Sequence, residues 1–326
     1  MKNEISKVGF GAWGLGGDAY GKVSRDQAFN ALKAAMDNGI NFVDTSDLYG
    51  NGRSEEIIGE FINSLSNKDQ DSLLISSKGG CLPHRGFHMP QNFDSKYLIS
   101  ALNSSLKRLN KDCLYIYFLH SPLPTHEVIE EIREFCDYAL TSGKVLNIGV
   151  SVRSPNDLIF FKKNIKLITA FQFNFNLIDQ RILSNSILEC LTDTSIINIA
   201  RTPLCFGFLT GKVKIEDCLS EDDHRRNWPV EQLRKWNESV SLFSDIALEL
   251  NLSTTQLALL YCTSYDFVSS TIPGILETSH AIENSSIINK EPLNKETILL
   301  LERIYLENSF YDPSLKQKAL NKEIGN

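Results

Sequence analysis

INFVDTSDLYGNGRSEEIIGEF, residues Ile40–Phe61, reads as three pieces in a row. Ile40–Val43 is an apolar run that ends abruptly at Asp44, the pattern of a short buried strand. A glycine-flanked loop follows and carries Tyr49. From Ser54 to Leu65 the apolar residues return at Ile57, Ile58, Phe61, Ile62 and Leu65, one face of a helix. Strand, loop and helix in that order make part of a crossover unit, and crossover helices join parallel strands. The carboxylate at the strand tip and the phenol just beyond it are not needed by a loop; proton transfer uses both.

The same rhythm extends in both directions. A strand is expected near Lys7–Phe10, followed by a helix over Arg25–Asp37 with Ser24 and Gln27 spaced as a capping box. Leu73–Ser77 reads as a strand, Lys96–Arg108 as a helix, Leu114–Leu119 as a strand, Glu127–Leu140 as a helix and Val145–Val150 as a strand. The second half adds strands at Ala170–Phe173, Ile196–Ala200 and Phe267–Ile272. Helices are expected near Pro155–Lys163, Gln180–Cys190, Glu231–Leu250, Thr254–Cys262, Thr278–Ile287 and Leu293–Leu306. Eight such units in a chain of 326 residues favour one closed (β/α)8 barrel, an α/β TIM barrel, as a single domain over residues 1–326. The polar stretch Lys212–Pro229 interrupts the rhythm and reads as an active-site loop.

Composition narrows the function. The formal charge of −7 argues against nucleic acid or an anionic membrane as main partner. No apolar run is long enough for a transmembrane helix. Met1-Lys2-Asn3-Glu4 opens on polar residues with no signal-peptide core, so a cytoplasmic location is expected. The seven cysteines are an odd number without a C-x-x-C pair, which reads as buried thiols rather than a disulfide or zinc framework. No metal site is expected; His84 and His88 have ligand-like spacing but no evident third ligand.

Gly9-Phe10-Gly11-Ala12-Trp13-Gly14 satisfies G-x-G-x-x-G but is a poor dinucleotide fingerprint. In that motif the helix opens inside the glycines, whereas here the helix cap, Ser24, lies far past Gly14. A turn that lets backbones approach closely is the better reading.

Catalytic groups of a barrel lie at the C-terminal strand ends and in the loops that follow. Asp44 ends the second strand, Tyr49 lies in its loop, Lys78 ends the third strand and His120 the fourth. A nearby ammonium favours the phenolate and makes a phenol a better proton donor. Lys78 can supply that charge, Asp44 can hold Lys78, and His120 can orient a carbonyl oxygen.

With these residues in place the chain resembles the aldo-keto reductases. The resemblance runs through Gly9–Gly14, Phe42-Val43-Asp44-Thr45-Ser46 with Tyr49-Gly50, Ser77-Lys78, Ser105–Leu109 and Leu119–Pro122. It continues through Gly143-Lys144-Val145, Ile148–Ser151, Leu209–Lys212, Ile272-Pro273-Gly274 and Glu283-Asn284. It implies Asp44, Tyr49, Lys78 and His120 as the catalytic set, with Tyr49 as general acid in reduction and base in oxidation. It also implies a nicotinamide dinucleotide bound without a Rossmann domain.

Cofactor contacts carry over to Gly11, Ala12, Trp13, Ser151, Gln172, Asn176, Arg201, Leu204, Gly207, Leu209, Lys212, Arg225, His280, Glu283 and Asn284. Val152 stands where the family often has Asn, and Phe175 replaces a Tyr. Arg201 stands where many relatives have an aromatic, and a guanidinium also stacks. NADP(H) is favoured over NAD(H) on family habit and on Arg225 and Arg226, although Glu277 could accept from a ribose hydroxyl and favour NAD. The Cys81–Phe93 loop, with His84 and Arg85, reads as a substrate wall. Trp13, Phe87 and Trp228 add an apolar or sugar-stacking surface.

The expected partner is a small-molecule carbonyl or alcohol, with a homo-oligomer possible. Two other readings stay open: a Schiff-base aldolase with Lys78 as nucleophile, and a cofactor-binding accessory or redox-sensing protein with little turnover.

Overall fold

The computed structural model describes residues 4–84 and 86–315, so Arg85 lies outside the described residues. Eight strands stand in chain order and every neighbouring pair is parallel. They are β1 Phe10–Gly11, β2 Phe42–Asp44, β3 Leu74–Gly79, β4 Leu114–His120, β5 Val145–Ser151, β6 Ile168–Asn174, β7 Ile197–Arg201 and β8 Ser270–Ile272. Parallel bridges from Val8 to Thr271 and from Gly11 to Gly274 bring β8 beside β1 and curl the sheet into a barrel. Backbone bonds from Gly9 N–H to Thr271 O (2.8 Å) and from Gly11 N–H to Pro273 O (2.9 Å) hold this seam. The expected (β/α)8 architecture is therefore present.

The helices are α1 Arg25–Asp37, α2 Arg53–Asn63, α3 Asn67–Ser72, α4 Ser95–Leu109, α5 Ile129–Thr141, α6 Pro155–Asn164 and α7 Asn185–Leu191. They continue with α8 Val230–Ser239, α9 Ser241–Glu249, α10 Thr254–Thr263, α11 Thr278–Ser285 and α12 Lys295–Glu307. Among the described residues no helix is long and apolar enough to cross a membrane, and no group of three or more His, Cys, Asp or Glu could hold a metal ion.

The strand period of two positions the chemistry. Phe42, Ile116, Phe118, Ala170, Ile199 and Ile272 pack together as a cluster of their own, apart from the layer between strands and helices. Alternate strand residues share a face. Two residues beyond Phe42, Phe118, Ala170 and Ile199 come Asp44, His120, Gln172 and Arg201. Each therefore sits on the same inner face, one step nearer the C-terminal rim. Gly149 leaves room for this packing, since a Cβ there would lie 2.4 Å from the Phe118 ring.

Several boundaries differ from expectation for non-local reasons. β1 starts only at Phe10, because Val8 bridges to Thr271 rather than to β2. β8 starts only at Ser270, because Val268 N–H closes a turn onto Tyr265 O at 2.9 Å. Ser24 caps α1 by accepting from Gln27 N–H (3.2 Å), but the Gln27 side chain donates to Leu276 O (3.1 Å) instead of completing the box. The single helix expected over Glu231–Leu250 breaks at Val240 into α8 and α9. The short polar α3 was not expected from periodicity, since none of its residues is buried.

The glycine motif at Gly9–Gly14 serves its own chain. Gly11 ends β1, and a Cβ there would lie 2.7 Å from Pro273 O across the seam. Trp13–Gly16 form a single 3-10 turn, and α1 opens only at Arg25.

Candidate active site

Lys78 is the hub. Its side chain is 1% exposed, and that of Asp44 3%. The three ammonium hydrogens have three acceptors: Asp44 Oδ2 at 2.5 Å, Thr45 O at 2.7 Å and the Tyr49 hydroxyl at 3.3 Å. Asp44 Oδ1 accepts from Ser76 Oγ (2.7 Å) and Gln172 Nε2 (2.9 Å). Gln172 Oε1 in turn accepts from Ser151 Oγ at 3.0 Å. A buried ion pair keeps its charges only when its remaining donors and acceptors are also met, and both partners meet that condition here.

The loop that delivers Tyr49 is pinned from behind. Thr45 Oγ1 donates to Ser54 Oγ, and Ser54 Oγ donates to Ala12 O, both at 2.9 Å. Tyr49 N–H bonds to Ser46 O and Ser54 N–H to Tyr49 O, both at 3.2 Å. The phenol ring then lies 6.0 Å from Trp13 and edge-on to His120 at 6.3 Å, centroid to centroid. Gly16 lies against this loop, where a Cβ would sit 2.6 Å from Gly50 N.

Burial sets the charge states. It pushes the Tyr49 phenol above the ordinary tyrosine value; Lys78 pulls it back only in part, and Asp44 raises it further. The expected lowering by Lys78 is thus real but outweighed by desolvation. For Lys78 burial disfavours the charge, yet Asp44 and Tyr49 together outweigh it and the ammonium is held above its ordinary value. Burial, then Lys78 and Arg201, hold His120 well below the usual histidine range. At neutral pH the set is therefore a neutral phenol, an ammonium and a neutral imidazole.

A cleft of about 2150 Å³ opens above this cluster. Its wall includes Gly11, Ala12, Trp13, Asp44, Tyr49, His120, Ser151, Gln172, Asn176 and Arg201. It continues past Leu204, Gly207, Lys212, Arg225 and His280 to Glu283 and Asn284. Leu209 is not on this wall: it is fully buried beneath the turn after β7, and its N–H bonds to Leu204 O at 3.2 Å.

Arg225 reaches the cleft but is committed elsewhere. Its guanidinium contacts both oxygens of Asp223 at 2.6–3.1 Å and Phe206 O at 3.1 Å. Its charge is therefore largely neutralised toward a phosphate. Arg226 on the same turn is exposed and makes no ion pair among the described residues. Glu277, weighed as a ribose acceptor, instead faces His280 at 3.5 Å.

The wall fits a dinucleotide chemically. Arg201 donates to Val152 O at 3.1 Å, while among the described residues its buried Nε has no hydrogen-bond partner, nor has the buried Asn284 Nδ2. Buried donors of this kind are costly unless something accepts from them. Between them lies a backbone turned sharply on itself, with positive φ at Thr202 (55°), Cys205 (44°), Phe206 (55°) and Gly207 (95°). Non-glycine residues in this region are strained by roughly 1–3 kcal/mol each, and such strain gathers at binding sites.

An aromatic cluster that begins beside Tyr49 lines the cleft. Trp13 packs on Tyr20 (5.8 Å) and His224 (4.2 Å), and Phe87 packs on Trp228 (4.7 Å). His84 and Arg153 also line it, the latter donating to Ser121 O at 2.9 Å. Tyr20, His224 and Arg153 were not singled out from sequence. Tyr20 meets His224 because the 217–227 segment zips onto the chain after β1, through Gly21 N–H to Asp222 O (3.0 Å) and His224 N–H to Ala19 O (2.8 Å). No local pattern announces such a pairing.

Comparisons with known proteins identify the family and the fold. Residues 7–306 match the model of the aldo/keto reductase family. Aldo-keto reductase YhdN of Bacillus subtilis is 30% identical over 246 residues, spanning 74% of this chain and 72% of that protein. The aldo-keto reductase yakc of Schizosaccharomyces pombe, whose name specifies NADP(+), is 30% identical over 287 residues, 86% of this chain and 83% of its own. The solved glycerol dehydrogenase AKR11B4 from Gluconobacter oxydans superposes with a TM-score of 0.78 at 24% identity, covering 96% of both chains, which shows the shared fold. With a barrel of this topology and a family match over nearly its whole length, the chain belongs to the aldo/keto reductase family of NAD(P)H-dependent oxidoreductases.

Proposed function

We propose that this protein interconverts a carbonyl (aldehyde, ketone or sugar) and an alcohol, with Tyr49 as the general acid and base. The observation that carries the reading is the Lys78 ammonium, held 2.5 Å from Asp44 and 3.3 Å from the hydroxyl of Tyr49, both of which line a cleft with room for a dinucleotide.

Ser151, Gln172 and Arg201 hold the nicotinamide end, the Leu204–Gly207 turn with Lys212 the pyrophosphate, and Glu283 with Asn284 the adenosine end. When bound, the nicotinamide supplies or accepts hydride. The chain's own residues manage the proton. A carbonyl oxygen turning into an alkoxide gains an electron pair and needs one proton, which Tyr49 donates. The phenolate left behind is stabilised by Lys78, and Asp44 keeps Lys78 charged. His120 is neutral and directs the oxygen toward Tyr49. In oxidation the phenolate takes the alcohol proton back.

Of the two dinucleotides the reading favours NADP(H). Its support is the NADP(+)-named relative and the exposed cation of Arg226 at the cleft. Because Arg225 is neutralised by Asp223, the expected preference is modest. Turnover of a panel of aldehydes, ketones and sugars with NADPH and with NADH tests both statements. No turnover with either dinucleotide, despite tight cofactor binding, would favour an accessory role instead.

A Schiff-base role for Lys78 is disfavoured. An amine held protonated, with all three hydrogens engaged, has no lone pair to add to a carbonyl.

A further inference from the structure

His120 lines the cleft, and one of its ring nitrogens is turned to the loop after β2. Its Nδ1 lies 3.1 Å from Ser46 Oγ. Ser46 is fully buried and sits between two demands. Its oxygen accepts from Leu48 N–H at 3.2 Å. Its single hydroxyl hydrogen has three possible acceptors: His120 Nδ1, Asp47 Oδ1 at 3.3 Å and Lys78 O at 3.5 Å. A hydroxyl can serve only one of them at a time.

The choice has a chemical consequence. If Ser46 donates to Nδ1, the imidazole proton is on Nε2, and the cleft is offered a donor suited to a carbonyl oxygen. If Ser46 donates to Asp47, Nδ1–H donates to Ser46 and Nε2 presents a lone pair. The tautomer facing the substrate is set by the bond made on the far side of the ring.

We propose that Ser46 is a positioning residue that fixes the tautomer of His120, and that the ionisation of Asp47 decides which way the Ser46 hydroxyl points. The proposal rests on His120 orienting the substrate oxygen. With Asp47 ionised, its carboxylate attracts the Ser46 hydrogen. With Asp47 protonated, its own O–H can donate to Ser46 Oγ and turn the hydroxyl toward Nδ1. The change takes up one proton, at Asp47. The imidazole stays neutral, its single proton moving from Nδ1 to Nε2 by exchange with water.

The surroundings place this switch in a useful range. Burial and the neighbouring Glu55 push Asp47 up to about 7, against smaller opposing effects of Ser46, Arg108 and Leu48 N–H. Tyr117, Tyr97 and Cys81 also face Asp47. Glu55 keeps its own partners: it is fully buried, accepts from Ser77 Oγ, and pairs with Arg108 at 2.6 Å. His120 faces Lys78, Arg201, His84 and Arg153, and with its burial these keep the ring neutral on both sides of the change.

The test is spectroscopic. Nitrogen-15 labelling of the six histidines and two-bond proton–nitrogen correlation report the tautomer of His120, with His120→Asn assigning its signals. In the cofactor-loaded wild type, the protonated nitrogen should change from Nε2 to Nδ1 as pH rises through about 7. Asp47→Asn and Ser46→Ala should each abolish that pH dependence. Carbonyl reduction should follow: in the wild type kcat falls above about pH 7, by up to about tenfold per unit, and in both variants this fall is lost while KM for the dinucleotide is unchanged. A His120 tautomer that is constant with pH in the wild type, or that still switches in both variants, overturns the proposal. The readout does not depend on turnover, so an inactive protein that still switches would sink the proposed function and leave this inference standing.

Discussion

The tips of β2–β4 and the loops that close over the far end of the cleft handle charge in opposite ways. At the strand tips Asp44 and Lys78 are almost wholly removed from water, and Asp44 is met by Lys78 and Ser76 of the neighbouring β3 and by Gln172 of β6 across the barrel. At the far end Lys212 meets Glu283 at 2.8 Å, with the lysine side chain 67% exposed. Buried pairs are costly to break and hold one geometry. Exposed pairs are worth little and exchange freely with solvent. A proton donor needs the first property, and a site that must admit and release a large cofactor needs the second.

The sharpest way to break this contrast is to remove a cation from each region. Lys78→Met leaves Asp44 buried without its counter-charge and should lower stability by about 3–5 kcal/mol in a urea titration. It should also lower turnover by about 10²–10⁴-fold, the usual weight of general acid–base catalysis. The wild-type pH profile sharpens the contrast next. Oxidation needs the Tyr49 phenolate, and burial holds that phenol above its ordinary value despite Lys78. The oxidation rate should therefore rise by up to about tenfold per pH unit from neutral into alkaline solution.

The loop region also has buried groups of its own: the Arg225–Asp223 pair, and His224 beside it. Burial, opposed in part by Asp223, lowers His224 to about 3. Below the ordinary value of 6.5 the unfolded chain takes up a proton there and the folded chain does not. Stability should then fall with pH by up to about 1.4 kcal/mol per unit, down to about pH 3. Thermal melts at about pH 5 and pH 7 should show a smaller difference for His224→Gln. Lys212→Met should have the smallest effect, within about 1 kcal/mol of stability, seen mainly as a weaker dinucleotide Kd by fluorescence titration.

The same division governs what could be read from sequence. Asp44 and His120 each close an apolar run and Lys78 follows one after two serines, so local pattern places them at strand tips, and parallel order brings consecutive tips together. Ser151 and Gln172 came only from the family resemblance: Gln172 lies inside β6 between two phenylalanines, where local pattern gives no sign of a site. The loops obey no such rule. That Arg225 is spent on Asp223, that Leu209 is buried, and that Tyr20 meets His224 all depend on where the 217–227 segment docks, which no local period encodes. Ser46 was readable as part of a loop, but its link to His120 joins residues far apart in the chain. Even at the strand tips sequence missed one balance: the ammonium beside Tyr49 was visible, while the desolvation that outweighs it needed the closed barrel.

The central claim is that Tyr49, beside Lys78, handles the proton of a carbonyl–alcohol exchange. Its most direct test is single-turnover reduction of a carbonyl by cofactor-loaded Tyr49→Phe, with dinucleotide binding measured on the same sample by fluorescence. The account predicts unchanged binding and a reduction step slower by at least about 10²-fold. Full-rate reduction by Tyr49→Phe would contradict it.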